Sequence, residues 1–247
     1  MMKKTLINLD ESLLKQIDSS RAYVSKKYNL EVSNAIHLVL SKIIEKSEEG
    51  CYVEAGVFKG AMILNIAEFL KSNNISMQLY GIDTFEGFPQ NTLTSDYDHP
   101  QYFNSLYKDG LISNDHFEKA KKRTNNFQLK EHLTTEYFNH TEGLFENAKN
   151  YKDVKLIKTE FDKISNKLTE KISVLFIDCD LYPSYMDVLN QLYDKVISNG
   201  LIIFDEYYSL KYPGALKAVR DFFNNKSGRL EYCVTSEGFD RVYFVKE

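Results

Sequence analysis

The chain reads as an α/β protein with a mixed, doubly wound sheet, and three stretches carry that reading. Val174-Leu175-Phe176-Ile177 and Leu201-Ile202-Ile203-Phe204 are apolar without alternation, as strands covered on both faces are. Residues 51–83 run as strand, glycine-bearing turn, helix, strand and terminal acid, the order of a nucleotide-binding unit. Residues 230–235 and 241–246, around Gly238-Phe239-Asp240, read as a closing antiparallel pair. No internal repeat supports the eight units of a barrel.

Size and composition narrow the field. The 247 residues suffice for one α/β domain with covering helices. Hydrophobic residues at 43% and charged residues at 27% are ordinary for a globular domain, so disorder is not expected. A net charge of -4 argues against a general nucleic-acid surface. The Lys119, Lys121, Lys122 and Arg123 group follows Asp115 and Glu118 and reads as a solvated helix face. Cys51, Cys179 and Cys233 lie far apart without paired Cys/His spacing, which suits buried thiols in a reducing compartment. The opening MMKKTLINLDESLLKQ reaches Asp10 and Glu11 before any apolar core, a poor signal peptide. No later stretch is long enough to span a bilayer. A cytoplasmic enzyme, acting on neither nucleic acid nor membrane, is the expectation.

Taken in order, residues 9–28 and 33–47 have helical character. In the second, Ile36, Val39, Leu40, Ile43 and Ile44 recur at helical spacing and Ser33 can cap its start. Residues 1–48 therefore form a helical segment that covers the sheet or makes a dimer surface, ahead of a catalytic domain over 49–247. A strand at 51–55 leads into Gly56-Val57-Phe58-Lys59-Gly60, then a helix over 61–71, then a strand at 77–82 ending at Asp83. The polar, aromatic-rich stretch that follows has helices near 115–123 and 142–148, and within 90–150 it can hold a substrate lid or an irregular crossover. Strands follow at 154–157, 173–177 and 201–204. A helix over 185–196 fills the last crossover, packing through Val188, Leu189, Leu192 and Val196. Gly200 supplies the turn into the strand after it, and Pro213-Gly214 opens a further helix.

The chemistry gathers at strand ends. Asp178 and Asp180 follow one apolar run, Asp205 and Glu206 the other, so parallel neighbouring strands would bring four carboxylates to one sheet edge. Clustered oxygens suit a hard ion such as Mg²⁺, although acids at strand ends also cap helices and bond backbone donors. Gly56 can admit a cofactor closely where strand turns to helix, Glu54 can reach a cationic amino group, and Asp83 can accept bonds from ribose hydroxyls. Equally, Gly56 and Gly60 can be turn glycines and Asp83 a local turn acid. Tyr207, Tyr208 and Tyr212 can wall a pocket, with apolar rings and polar hydroxyls, or can be sheet-edge or interface aromatics.

VEAGVFKG at 53–60, GIDTFEGFP at 81–89, FIDCDLYPSYMDVLNQLYDKVISNGLIIFDEY at 176–207 and PGALKAVRDFF at 213–223 together resemble the macrocin O-methyltransferase family. That resemblance implies a class I, Rossmann-like methyltransferase fold with a seven-stranded mixed sheet, using S-adenosylmethionine on hydroxyls of sugars and related natural products. It implies that Glu54, Gly56, Val57, Phe58 and Gly60 belong to the first cofactor motif, with Asp83 as ribose acid and Thr84 beside it. Glu160 and Phe161 would lie near the adenine. Asp178 and Asp205 match metal ligands, Glu206 stands where aspartate is common, and Asp180 matches a candidate general base. The expected acceptor is a sugar-containing small molecule or nucleotide sugar, and the family's habit of assembly points to a homodimer. The competing readings are an NAD-dependent sugar oxidoreductase, for which the glycine fingerprint is incomplete, and a noncatalytic partner subunit.

Overall fold

Eight strands build one sheet in the computed structural model, which describes residues 3–46, 49–88, 95–124, 141–235 and 240–247. They are β1 (Lys3–Ile7), β2 (Cys51–Ala55), β3 (Leu79–Asp83), β4 (Val154–Lys158), β5 (Ile172–Ile177), β6 (Val196–Phe204), β7 (Gly228–Thr235) and β8 (Asp240–Lys246). The spatial order is β1-β7-β8-β6-β5-β2-β3-β4. Strands β4, β3, β2, β5 and β6 run parallel, and β8 turns back antiparallel to both β6 and β7. The seven strands expected for a class I methyltransferase are all present. The eighth, β1, adds parallel to the outer side of β7, with Leu6 opposite Val234.

Apolar residues on both faces explain the parallel centre. Every residue of β2 and β5 is buried, as their unbroken apolar character requires. One face packs on α1 (Glu11–Tyr28), α2 (Ala35–Lys46) and α3 (Ala61–Ser72) through residues such as Ile17, Leu38, Ile63, Tyr52 and Phe176. The other packs on α7 (Tyr182–Leu192) and α8 (Pro213–Phe223) through Val188, Leu189, Val219, Leu175 and Phe204. Helix α1 starts where the Asp10 carboxylate accepts the Leu13 N–H at 2.7 Å, and it stops at Asn29 in the left-handed region (φ 54°). Helix α2 is buried along most of its length, so the N-terminal segment covers the sheet. Its His37 is 5% exposed and part of the packing.

Among the described residues between β3 and β4 are three shorter helices, α4 (Tyr102–Lys108), α5 (Asn114–Thr124) and α6 (Thr141–Ala148). Of the lid expected within 90–150, residues 90–94 and 125–140 lie outside the described residues, as does the turn around Gly238. The described part is anchored by buried Phe103 and Leu106. On α5, Lys119 pairs with Asp115 and Lys121 with Glu118 in exposed ion pairs, the solvated face expected there.

Two boundaries differ from the sequence reading. Helix α7 begins at Tyr182, with Pro183 in its first turn, and ends at Leu192, so Val196 belongs to β6 instead. Inside β6 the register against β5 jumps from Val196 to Leu201, with Asn199 in the left-handed region (φ 59°). Gly200 sits in that irregularity, where a β-carbon would lie 2.8 Å from the Ile197 carbonyl oxygen. Among the described residues no helix is long and apolar enough to cross a membrane.

Candidate active site

The parallel ladders run one residue past their strands and align the carboxylates. The Gly56 N–H bonds Ile82 O (2.9 Å), Asp178 N–H bonds Ala55 O (2.9 Å), Asp205 N–H bonds Ile177 O (3.0 Å) and Thr159 N–H bonds Asp83 O (3.0 Å). The chain leaves β2 toward β3 on one side and returns to β5 on the other. A crevice therefore opens at the carboxyl ends of β2 and β5, the switch point where α/β sheets bind ligands.

Asp178, Asp205 and Glu206 meet there, each offering a carboxylate oxygen within 4.8 Å of the others. Oxygens about 2.1 Å from a Mg²⁺ ion stand about 3 to 4 Å apart in an octahedron, so small side-chain movements would close this set on an ion. The donor chemistry fits as well. Burial, then Asp205, Asp180 and Glu54, holds the Asp178 carboxyl well above the ordinary carboxylate range. Burial, followed by Asp178 and Asp205, does the same to Glu206. Arg241 pairs with Asp205, so the set carries more negative charge than this cationic neighbour balances, and a divalent ion would supply the rest. Asp180 completes the group in the left-handed region (φ 62°), and burial, then Asp205, pushes its carboxyl up to about 8.

On the cofactor side, Asp83 is tied to the glycine turn. Its carboxylate accepts the N–H groups of Val57 (2.8 Å), Phe58 (3.1 Å) and Phe85 (2.9 Å). Phe58 and Phe85 both adopt positive φ, 49° and 53°. Thr84 donates its hydroxyl to Gly87 O at 2.7 Å. The structure gives Gly56 a reason other than cofactor approach. At φ +91°, a β-carbon there would overlap the Asp178 carbonyl oxygen, so the glycine lets β2 and β5 diverge side by side. At Gly60 (φ +80°) a β-carbon would overlap the Leu144 side chain of α6. Glu54 is 1% exposed and accepts the Tyr52 hydroxyl at 3.0 Å, and burial holds its carboxyl well above the usual range. Glu160 is exposed and paired with Lys163, at the head of a 3₁₀ turn that begins at half-buried Phe161.

Beside the carboxylates a pocket of about 240 Å³ is lined by Asp205, Glu206, Tyr207, Tyr208, Ser209 and Arg241, among others. Tyr207 is 3% exposed and Tyr208 39%. Tyr212 is buried at the start of α8 and is not among the pocket's lining residues. Two residues of this region escape a sequence reading. Arg241, at the head of β8, donates from Nε (3.2 Å) and Nη2 (3.1 Å) to Asp205 Oδ1. His116 of α5 places Nε2 3.1 Å from Ser209 O and its ring 6.1 Å from that of Tyr208. The polar, chargeable types of both were the available signal. Their placement depends on the antiparallel return of β8 and on how α5 packs.

A third such residue, Asp98, is 3% exposed and fastens the stretch after residue 94 to the sheet's helices. Both its oxygens accept the Tyr182 N–H that opens α7 (2.9 and 3.1 Å), and a β-carbon at Gly214 in the first turn of α8 would overlap it. Burial pushes its carboxyl up to about 7, against the backbone bond from Tyr182 that lowers it. A raised acid stabilises the fold below its ordinary value, and that contribution is lost as pH rises through about 7. Asp98→Asn should therefore gain on the wild type in urea unfolding between pH 4 and pH 8, by about 2 kcal/mol. A difference that does not change with pH would refute this.

A sequence profile of the macrocin O-methyltransferase (TylF) family matches residues 31–232. Among curated proteins no sequence matches. Solved structures share the fold. The O-methyltransferase NovP aligns at 21% identity with a TM-score of 0.55, covering 94% of this chain and 80% of its own. The calicheamicin methyltransferase CalS11 aligns at 15% identity and a TM-score of 0.57, covering 97% of this chain and 94% of its own. A further structure of CalS11, without ligand and described as a TDP-rhamnose 3'-O-methyltransferase, aligns at 14% and 0.50 over 97% and 96% of the two chains. These likenesses agree with the strand order and the closing antiparallel strands described above. The oxidoreductase and partner-subunit readings give way: the chain belongs to the macrocin O-methyltransferase family and is an S-adenosylmethionine-dependent O-methyltransferase with the class I, Rossmann-like fold.

Proposed function

We propose that this enzyme methylates a hydroxyl of a sugar or sugar-containing small molecule, such as a nucleotide sugar, with Mg²⁺ held by Asp178, Asp205 and Glu206. The observation that carries the reading is the convergence of these three acids, two of which line the tyrosine-bearing pocket, with Asp180 close enough to feel the charge of Asp205. The family name and the TDP-rhamnose acceptor of CalS11 support a sugar acceptor. Three buried free thiols suit a reducing compartment such as the cytoplasm.

The sulfonium donor supplies an electrophilic methyl carbon, and Mg²⁺ supplies positive charge where the acceptor oxygen becomes negative. The chain's own task is alignment. The turn from Gly56 to Gly60, with Val57 and Phe58 bonded to Asp83, presents the ribose acid, and Thr84 braces the loop after it. Glu54, deep and engaged with Tyr52, reaches the donor's amino group through water, and Glu160 and Phe161 edge the adenine side. Tyr207 and Tyr208 wall the acceptor, and Tyr212, outside that lining, ties to it through its backbone N–H, which bonds the hydroxyl of pocket residue Ser209. Asp180 takes the hydroxyl proton. Its carboxyl, pushed up to about 8, sits near working pH, where a group both accepts and releases protons.

Incubation with S-adenosylmethionine and a panel of nucleotide sugars, glycans and glycosylated small molecules should yield a methylated product. Asp83→Ala should weaken S-adenosylhomocysteine binding at least about tenfold, the loss of one or two charge-assisted bonds. Chelation should stop turnover and spare that binding. Full turnover after rigorous chelation would remove Mg²⁺ from the reading, and donor binding without methylation across the panel would remove the sugar.

A further inference from the structure

Glu206 is a longer acid than aspartate by one methylene, and the structure shows what takes up the extra reach. Tyr185, 0% exposed in α7, places its hydroxyl 2.9 Å from Glu206 Oε2 and accepts the Glu206 backbone N–H at 3.2 Å. The same hydroxyl lies 3.0 Å from Ile177 O, which already accepts the Asp205 N–H at 3.0 Å. A tyrosine has one proton to give. Ile177 O already holds one backbone bond and the contact to Glu206 Oε2 is the shorter of the two, so the proton is assigned to the carboxylate. Tyr185 thereby grips Glu206 twice, at its main chain and at one carboxylate oxygen, while the Glu206 side chain remains in reach of Asp178 and Asp205.

We infer that Tyr185 is a positioning residue for metal binding: its hydroxyl holds the Glu206 carboxylate beside Asp178 and Asp205, where the longer acid can serve as third ligand. The inference rests on the metal reading proposed above and deepens it. A free glutamate loses rotamer freedom when fixed, and a buried partner that fixes it beforehand removes that cost from ion binding. Partners that orient metal ligands are worth about 10- to 100-fold in affinity. The hydroxyl also serves two backbone groups, the Glu206 N–H and Ile177 O, so the test has to separate a role at the carboxylate from one at the main chain. The Tyr185 ring lies 6.5 Å from that of Phe204 in an apolar layer that phenylalanine would fill equally well.

The test is calorimetric titration of the full chain with Mn²⁺, beside a titration with S-adenosylhomocysteine. Tyr185→Phe should weaken Mn²⁺ binding at least tenfold and leave S-adenosylhomocysteine affinity within twofold. In a Glu206→Ala background the same change should cost nothing further, which a general loss of packing would not reproduce. With Tyr185 intact, Glu206→Asp should also weaken Mn²⁺, because the shorter acid cannot span both the hydroxyl and the cluster. Unchanged Mn²⁺ affinity in Tyr185→Phe or in Glu206→Asp, or full additivity with Glu206→Ala, overturns the role of Tyr185 alone. A wild-type protein that binds no Mn²⁺ overturns the metal reading and this inference with it.

Discussion

Asp178→Asn should lower turnover by about a thousandfold and yet raise the thermal stability of the chelated protein. The first effect follows from taking an oxygen donor out of the three that meet at the crevice. Charge stabilisation by a metal is worth several kcal/mol, and about 4 kcal/mol corresponds to three powers of ten. The second effect follows from burial and like charge, which hold the Asp178 carboxyl above the ordinary range. An acid raised in the folded state binds its proton more tightly there than when unfolded, so its ionisation costs stability as pH rises through the folded value. Asparagine has no such cost. In EDTA the variant should melt higher by about 4 °C, an effect of about 1 to 2 kcal/mol, with the gap wider at pH 8.5 than at pH 6. Added Mn²⁺ should reverse the order, since only the wild type keeps its full ligand set. Scanning fluorimetry under these four conditions decides it, and a variant less stable at both pH values in EDTA would refute the repulsion argument.

Gly56→Ala should be the most damaging single methyl in the chain. The residue sits at φ +91°, which costs a residue with a β-carbon about 1–2 kcal/mol. The new carbon would also overlap the Asp178 carbonyl oxygen, and relieving an overpacked contact costs about 1–3 kcal/mol. Together these consume much of the roughly 5–15 kcal/mol that holds a domain folded. Whatever movement relieves the overlap displaces Asp178 and disturbs the Val57 and Phe58 bonds to Asp83, so S-adenosylhomocysteine binding should fall with stability. Gly60→Ala makes the control. Its β-carbon would meet the Leu144 side-chain tip, which can rotate away where a backbone carbonyl cannot. Urea denaturation should therefore place Gly60→Ala between the wild type and Gly56→Ala, and equal losses for the two would contradict the backbone explanation.

What could be read in advance, and what could not, divides along local and distant contacts. Unbroken apolar runs ending in acids identified β5 and β6 and the carboxylate row, because strand burial and strand ends are both written within ten residues of sequence. The KKTLI of β1 carries no comparable pattern. It is a strand because β7, more than two hundred residues away, offers it an edge. Tyr185 fell among ordinary residues of an amphipathic helix, since only the level at which α7 crosses the end of β6 reveals its hydroxyl's partner. Arg241 depends on β8 returning antiparallel beside β6, with Phe204 opposite Val242, which puts it next to Asp205. Gly56 reads as a glycine for cofactor approach or for its own turn, whereas the obligation the structure shows is to a neighbouring strand, which no reading of that turn contains.

The pairing of Lys3 with Glu231 makes the outer seam of this sheet a meeting of distant sequence. Such a closure is slow to find and adds little once found, so β1 should be the last strand stitched in and the first to open. Until then β7 presents its bare ladder to any other chain with an extended segment. Freshly made or gently warmed protein is thus most exposed to mispairing along that one margin, and because Tyr232 of β7 touches Tyr208 of the pocket, mispairing there would reach the site as well.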